Sequence, residues 1–165
     1  MYLSAILTAI EFLTPLRLRR VERLEDHEFG AALGWFPLVG LLLGAILVGL
    51  DRVLAQVLPP MPAAALLVGA LALLSGGLHL DGVADTADGL AVQGDRATRL
   101  GVMSAGNIGP AGVMSLALVL LVQWSALATL PEPVRTSGIL LAPALSRWAA
   151  TPVAVLFRPA RPRGI

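Results

Sequence analysis

Long stretches without charged side chains constrain the fold of this chain more than any other feature. Residues 30–50 carry no charge, and residues 63–80 contain a single titratable side chain, His79. A bilayer core about 30 Å thick requires roughly 20 apolar residues in a helix. Both stretches therefore predict helices that span a membrane.

Two further stretches extend this pattern. Residues 100–130 are also uncharged, and we expect their regular helix to begin near Ala111, after several glycines and Pro110. Residues 136–157 form the fourth predicted span, which Pro143, Arg147 and Pro152 interrupt. The first fifteen residues are short for a crossing, so we interpret them as an interfacial or partly inserted helix, with a full crossing as the alternative.

The composition agrees with a membrane protein and excludes several kinds of site. The chain is 56% hydrophobic and 14% charged, with a mean hydropathy of +0.80. A net charge of +1 without a basic, aromatic-rich stripe gives no reason to expect nucleic acid. Because there is no cysteine and there are two histidines, a metal would have to be bound mainly by oxygen ligands. We predict one all-α membrane domain over residues 1–165, a polytopic bundle with about four full spans.

The distribution of arginine predicts the orientation of the spans. Short cytoplasmic loops carry an excess of basic residues. The segments before the first span, between the second and third spans, and after the fourth hold most of the arginines, namely Arg17, Arg19, Arg20, Arg23, Arg96, Arg99, Arg158, Arg161 and Arg163. The other connections hold only Arg52 and Arg135. We therefore expect the segment after His79 to face the cytoplasm and the first arginine cluster to contact anionic lipid head groups.

Small residues recur in the first long span, at Gly40, Gly44 and Gly49. In a membrane such residues allow helix backbones to approach closely. They predict a tightly packed helix interface. The sequence leaves open whether the chain forms a homo-oligomer.

Three aspartates follow the second apolar stretch in "GLHLDGVADTADGL", at Asp81, Asp85 and Asp88. At about 100° per residue they lie at roughly 0°, 40° and −20° around a helix, so their carboxylates share one face. A divalent cation would relieve their repulsion, and hard oxygen ligands suit Mg²⁺, which is usually bound together with substrate phosphate. Gly82 and Gly89 flank this face and would let backbone and substrate approach closely. A solvated loop between two spans is the alternative.

The core "DTADG" matches the opening of the motif of CDP-alcohol phosphotransferases, but the continuation of that motif is absent. The longer stretch "GGLHLDGVADTADGL" closely resembles the signature of the cobalamin synthase family, the adenosylcobinamide-GDP ribazoletransferases. Other segments are similar to that family along nearly the whole chain, namely "FLTPL", "FPLVGLLLGA", "RLGVM", "IGPAG" and "APALSRWAA". Family members usually continue with further spans beyond a point equivalent to Ile165, so the chain resembles a short or truncated member.

This resemblance implies an integral membrane enzyme of cobalamin biosynthesis that requires Mg²⁺. A ribose hydroxyl of α-ribazole, or of α-ribazole 5′-phosphate, would attack the corrinoid-side phosphorus of adenosylcobinamide-GDP and release GMP. Asp81, Asp85 and Asp88 would bind the metal and the diphosphate. The alternative is that one of the three, with Asp85 the first candidate, accepts the proton of the attacking hydroxyl instead of binding the metal.

Three other side chains are candidates for binding the anionic substrate. Arg147 lies within an apolar segment, where a charge is costly unless it is paired or faces a wet cavity. His79 precedes the aspartates by one turn and is a candidate phosphate ligand, with a structural role equally open. Arg99, together with Arg96, would steer the substrate toward the metal, although loop arginines also follow from the positive-inside bias.

Other functions are compatible with parts of this pattern. A membrane prenyltransferase would also use an aspartate-rich motif, but a second such motif is absent from the sequence. A transporter or an assembly subunit would place acids near the membrane midplane and break helices at related positions of two halves. The sequence shows no such halves.

Overall fold

A computed structural model of the chain describes residues 2–18, 26–157 and 160, and all of its regular structure is helical. The helices described in these ranges are α1 (Tyr2–Leu13), α2 (Asp26–Leu33), α3 (Phe36–Leu54), α4 (Pro60–Leu74), α5 (Leu78–Ala91), α6 (Arg96–Met103), α7 (Pro110–Thr129) and α8 (Val134–Leu156). The all-α prediction is confirmed.

The helices form two compact units. Met1–Gln56 and Pro131–Ile165 make up the first unit, and Val57–Leu130 makes up the second. The first unit therefore contains α1, α2, α3 and α8, and the second contains α4 to α7. That residues 1–165 act as one membrane domain stays a prediction.

Three helices are long and apolar enough to cross a membrane, namely α3, α7 and α8, and the bent pair of α4 and α5 would make a fourth. These helices indicate a multi-pass membrane protein. The expected bounds hold for α7 and α8, but the first long span begins at Phe36 instead of Gly30. The chain turns at Gly34 and Trp35, where Pro37 can start a new helix because a first-turn residue needs no backbone donor. Helix α1 has 12 residues, fewer than a straight crossing needs.

Aromatic and small residues form the core of the first unit. Phe36 lies between two other rings, with centroids 5.6 Å from Phe12 and 6.1 Å from Phe29. Ala9 and Leu13 of α1 pack beside Phe36. This cluster fixes the start of α3 against α1 and α2.

Helix α3 also packs against α8 through two of the three glycines that the sequence analysis identified. A Cβ atom on Gly40 would lie 2.6 Å from the Cα atom of Ala144, and one on Gly44 would lie 2.9 Å from the Cα atom of Leu140. A Cβ atom on Gly49 would meet no atom within 4 Å. The predicted close packing is thus confirmed at Gly40 and Gly44, whereas Gly49 faces open space.

We expect Gly44→Ala to destabilise the first unit, since the added methyl group would displace backbone atoms of α8. Overpacking of this kind costs about 1–3 kcal/mol. Thermal unfolding in detergent micelles would show a lower midpoint for Gly44→Ala than for the wild type. Gly49→Ala is the matched control in the same helix, and equal midpoints for the two variants would contradict the packing described here.

The second unit differs most from the prediction. A single straight helix over residues 63–80 is wrong, because α4 ends at Leu74 and α5 continues from Leu78 at an angle of 88°. Gly76 and Gly77 form the corner with φ values of 61° and 73°, which favour glycine over residues with a Cβ atom. His79 therefore lies in the first turn of a new helix and not near the end of a span.

Candidate active site

The three aspartates of the sequence motif lie on helix α5, as their spacing predicted. Asp81 is exposed in the first turn, Asp85 is half-buried one turn later, and Asp88 is 9% exposed near the end of the helix. The shared face therefore passes from open surroundings at Asp81 to a covered position at Asp88. A solvated loop is excluded for this segment.

Helix α7 covers the end of this face. The backbone N–H of Gly109 donates a hydrogen bond of 2.6 Å to Asp88 Oδ2, and the backbone N–H of Gly112 donates one of 2.8 Å to Asp88 Oδ1. Gly109 is the N-cap residue of α7, so the carboxylate satisfies amides that have no partner inside the helix. A negative charge is also favoured at this end of a helix.

Asp88 therefore differs from the other two aspartates in its surroundings. Both of its oxygens are hydrogen-bonded to α7, a role that was not predicted from the sequence. Within the described parts of the chain, no three His, Asp or Glu side chains come close enough together to hold a metal ion. Metal binding by Asp81, Asp85 and Asp88 stays a prediction, with Asp81 and Asp85 the better placed pair.

Helix α6 packs beside the second half of α5. A Cβ atom on Gly89 would lie 2.5 Å from side-chain atoms of Met103 and 3.2 Å from the carbonyl oxygen of Arg99. The space beside Gly89, where we predicted a close approach of substrate, is therefore filled by α6. A Cβ atom on Gly82 would meet nothing within 4 Å. Gly82 leaves open space beside Asp81.

The candidate basic residues lie in different surroundings. Arg99 belongs to α6 and has an exposed side chain, and Arg96 at the start of the same helix is exposed as well. Hydrogen bonds from the backbone N–H and the hydroxyl of Thr98 hold the pKa of the Asp95 carboxyl below its usual value. A charged Asp95 caps α6 and so fixes the helix that carries both arginines.

Arg147 belongs to the first unit and is 4% exposed within α8. Its Nη1 atom donates a hydrogen bond of 2.9 Å to Ser146 Oγ, and among the described residues its Nε atom has no hydrogen-bond partner. Arg147 is therefore buried within its own unit. Contact of Arg147 with a substrate phosphate stays a prediction.

One buried charged pair was missed by the sequence analysis. Arg135 in the first turn of α8 donates two hydrogen bonds to Asp51 in the last turn of α3, with Nε–Oδ2 and Nη2–Oδ1 distances of 3.1 Å and 2.7 Å. Each residue lies at the end of its helix that disfavours its charge. The sequence did contain a signal for this pair, since an acidic residue lies at the end of one predicted span and a basic residue lies at the start of another.

Several predicted residues lie outside the part of the chain that the structure describes. They are Arg19, Arg20, Arg23, Arg158, Arg161 and Arg163. Arg17 is described, and its Nη1 atom donates a hydrogen bond of 3.3 Å to the carbonyl oxygen of Glu11.

Comparison with known proteins supports the resemblance that the motifs indicated. Residues 5–165 match the family described as Cobalamin-5-phosphate synthase. The adenosylcobinamide-GDP ribazoletransferase of Pseudomonas paraeruginosa is 43% identical over 99% of this chain, and that of Geotalea daltonii is 38% identical over 95%. This chain spans 66% and 63% of the lengths of those two relatives. No solved structure matches it.

Proposed function

The chain belongs to the cobalamin-5-phosphate synthase family, and we propose from this membership that it is a membrane enzyme that joins adenosylcobinamide-GDP to α-ribazole. GMP is the second product. The relatives at 38–44% identity carry the name of this activity, which supports the proposal. Either α-ribazole or α-ribazole 5′-phosphate serves as the acceptor.

One observation in the structure carries the proposal furthest. Helix α5 presents Asp81 and Asp85 one turn apart, with Asp81 exposed and Asp85 half-buried. Helix α6 packs on the same helix and brings the exposed Arg99 into the same unit. Transfer of a phosphoryl group from a diphosphate requires carboxylates that bind a metal ion and a guanidinium group that binds phosphate.

The proposed reaction breaks the phosphoanhydride bond of the diphosphate and forms a phosphoester bond to the ribose. A ribose hydroxyl oxygen of α-ribazole attacks the corrinoid-side phosphorus, and the bond from this phosphorus to the bridging oxygen breaks. GMP leaves with the electron pair of that bond. We assign the proton of the attacking hydroxyl to a carboxylate oxygen of Asp85, which is half-buried and therefore shielded in part from bulk water.

The residues of α5 fit a bound Mg²⁺ ion. Magnesium is commonly held by one or two carboxylates, with water and substrate phosphates completing its coordination. Asp81 and Asp85 supply two such carboxylates, whereas the oxygens of Asp88 accept hydrogen bonds from two amides of α7. When bound, the ion would neutralise negative charge that develops on the phosphoryl oxygens and the leaving group.

Other residues would bind the anionic substrate. Arg99 would pair with phosphate oxygens, and His79 in the first turn of α5 would donate a further hydrogen bond. Arg147, in the other unit, is by itself a candidate ligand for phosphate. Gly82 would allow the substrate to approach the backbone of α5, because a Cβ atom at this position would meet no atom within 4 Å. The buried position of Arg147 supports this role, since a charge inside an apolar helix is retained at a cost.

We propose that α5 faces the cytoplasm of a cell with an inner membrane. The described basic residues on its predicted side include Arg17, Arg96 and Arg99, while Arg135 on the other side is neutralised by Asp51. The predicted side of α5 holds more basic residues than the other, where Arg52 and Arg135 lie, and this excess supports the proposed orientation. The exposed apolar faces of the spanning helices would contact lipid.

A transporter is the second candidate because α4 and α5 form a broken helix with acids beside the break. Broken helices in membranes often line substrate or ion sites. In the described ranges, however, α4 with α5 is the single bent pair, and a transporter built from two repeats would contain a related second one. The names of the relatives support the transferase instead.

The test of the proposal is GMP release by purified protein in liposomes. We expect release only when adenosylcobinamide-GDP, α-ribazole and Mg²⁺ are all present, and chelation of the metal should abolish it. A transporter would consume no adenosylcobinamide-GDP. Absence of GMP from folded protein, while a relative of full length is active in parallel, would contradict the proposal.

A further inference from the structure

We propose that Asp88 is a positioning residue that anchors the aspartate helix α5 to the start of α7, leaving Asp81 and Asp85 as the pair that serves the substrate. The functional part of this inference rests on the proposed transferase activity. The anchor itself rests on geometry alone. The three aspartates of one motif would thus perform two different tasks.

The hydrogen bonds of Asp88 define the anchor. Its two oxygens accept from the N-cap amide and from an amide in the first turn of α7, at 2.6 Å and 2.8 Å. A carboxylate that accepts backbone amides at a helix N-terminus forms short, charge-assisted hydrogen bonds. Because Asp88 is buried, water competes little for these bonds.

The glycines of "GPAG" explain why the carboxylate fits there. A Cβ atom on Gly109 would lie 2.5 Å from Asp88 Oδ1, and one on Gly112 would overlap Asp88 Oδ2 and lie 3.1 Å from the carbonyl oxygen of Ala84. Pro110 occupies the first turn, where its missing N–H costs nothing. The segment Gly109–Gly112 therefore forms a binding site, here called the seat, for the Asp88 carboxylate. This site leaves no room for a side chain at Gly109 or Gly112.

The anchor has a consequence for Asp81 and Asp85. Both lie on the helix that Asp88 fixes, and Asp85 is less than one turn away from it. If α5 tilts or rotates, both carboxylates move relative to the rest of the second unit. Displacements of about 1 Å at a reacting centre cost on the order of 100-fold in rate. Loss of Asp88 should thus lower kcat without removing a metal ligand.

Hydrogen exchange at Gly109 and Gly112 tests the anchor without reference to activity. In Asp88→Ala both amides lose their acceptor, and we expect their exchange in detergent to become at least about tenfold faster. Asp88→Asn retains one acceptor oxygen and should release one of the two amides. Gly112→Ala blocks the seat while Asp88 remains present, and Gly101→Ala is the matched control because a Cβ atom on Gly101 meets nothing within 4 Å.

Metal binding separates anchoring from ligation. We expect Asp88→Ala and Gly112→Ala to lower kcat for GMP release by about 10- to 100-fold. The half-saturating Mg²⁺ concentration should stay within about twofold of the wild-type value, as should the affinity for Mn²⁺ measured by electron paramagnetic resonance. Gly112 has no side chain that could bind a metal, so matching behaviour of the two variants identifies the anchor.

Two results would overturn the inference. Unchanged exchange at both amides in Asp88→Ala would show that the anchor does not hold α7. A rise in the Mg²⁺ requirement for Asp88→Ala, absent in Gly112→Ala, would make Asp88 a ligand. If wild-type protein releases no GMP but the amides exchange as expected, the proposed function fails while the anchor is supported, so the two failures are distinguishable. Gly112→Ala keeps the test decisive if Asp88→Ala does not fold.

Discussion

Asp85→Asn is expected to reduce GMP release by at least about 100-fold, because the change removes a charged carboxylate oxygen from the middle of the acidic face of α5. An amide is a weaker ligand for Mg²⁺ and cannot accept the proton of the attacking hydroxyl. Initial rates with saturating adenosylcobinamide-GDP and α-ribazole would measure the loss. We also expect a higher half-saturating Mg²⁺ concentration, in contrast to the variants of the Asp88 anchor.

Asp95→Asn is the matched control for Asp85→Asn. It makes the same chemical change in the same unit, at an exposed residue that caps α6 and lies outside the proposed site. Asparagine is also a good N-cap residue, so α6 should persist. If Asp85→Asn kept activity within about threefold of Asp95→Asn, neither ligation nor proton transfer by Asp85 would be supported.

Local patterns predicted the parts of the fold that depend on neighbouring residues. The positions of α7 and α8 follow from their apolar stretches, and the shared face of Asp81, Asp85 and Asp88 follows from helical periodicity. The corner at Gly76 and Gly77 was missed because apolar residues continue on both sides of it. Hydropathy does not register a change of helix direction, and the glycine pair was the available signal.

Contacts between distant residues could not be predicted in the same way. Asp88 and Gly112 are 24 residues apart, and their hydrogen bond requires α7 to begin beside the end of α5. Charge repulsion among three aspartates suggested a metal ion, whereas helix α7 satisfies one of the three carboxylates with backbone amides. The role of Gly109 and Gly112 on either side of Pro110 can be recognised only when the position of the Asp88 carboxylate is known.

The second large effect concerns the ion pair between α3 and α8. We expect Asp51→Asn to lower the free energy of unfolding by about 3–5 kcal/mol, the usual cost when one partner of a buried pair is removed. Arg135 is 9% exposed, and without Asp51 its charge would stay buried at the start of α8, where the helix dipole also disfavours it. Chemical or thermal unfolding in detergent would measure the loss.

Arg52→Gln provides the control, since Arg52 is the exposed neighbour of Asp51 and its loss removes a charge without breaking the pair. Surface changes of this kind usually alter stability by less than about 0.5 kcal/mol. In the double variant Asp51→Asn with Arg135→Met the buried cation is gone, so we expect most of the lost stability to return. Additive losses in the double variant would mean that the two residues contribute separately. Recovery would show that the two residues are coupled and that the loss in Asp51→Asn arises mainly from the cation left buried at the start of α8. Close packing at Gly40 and Gly44, and not net charge attraction, would then contribute most to holding α3 against α8.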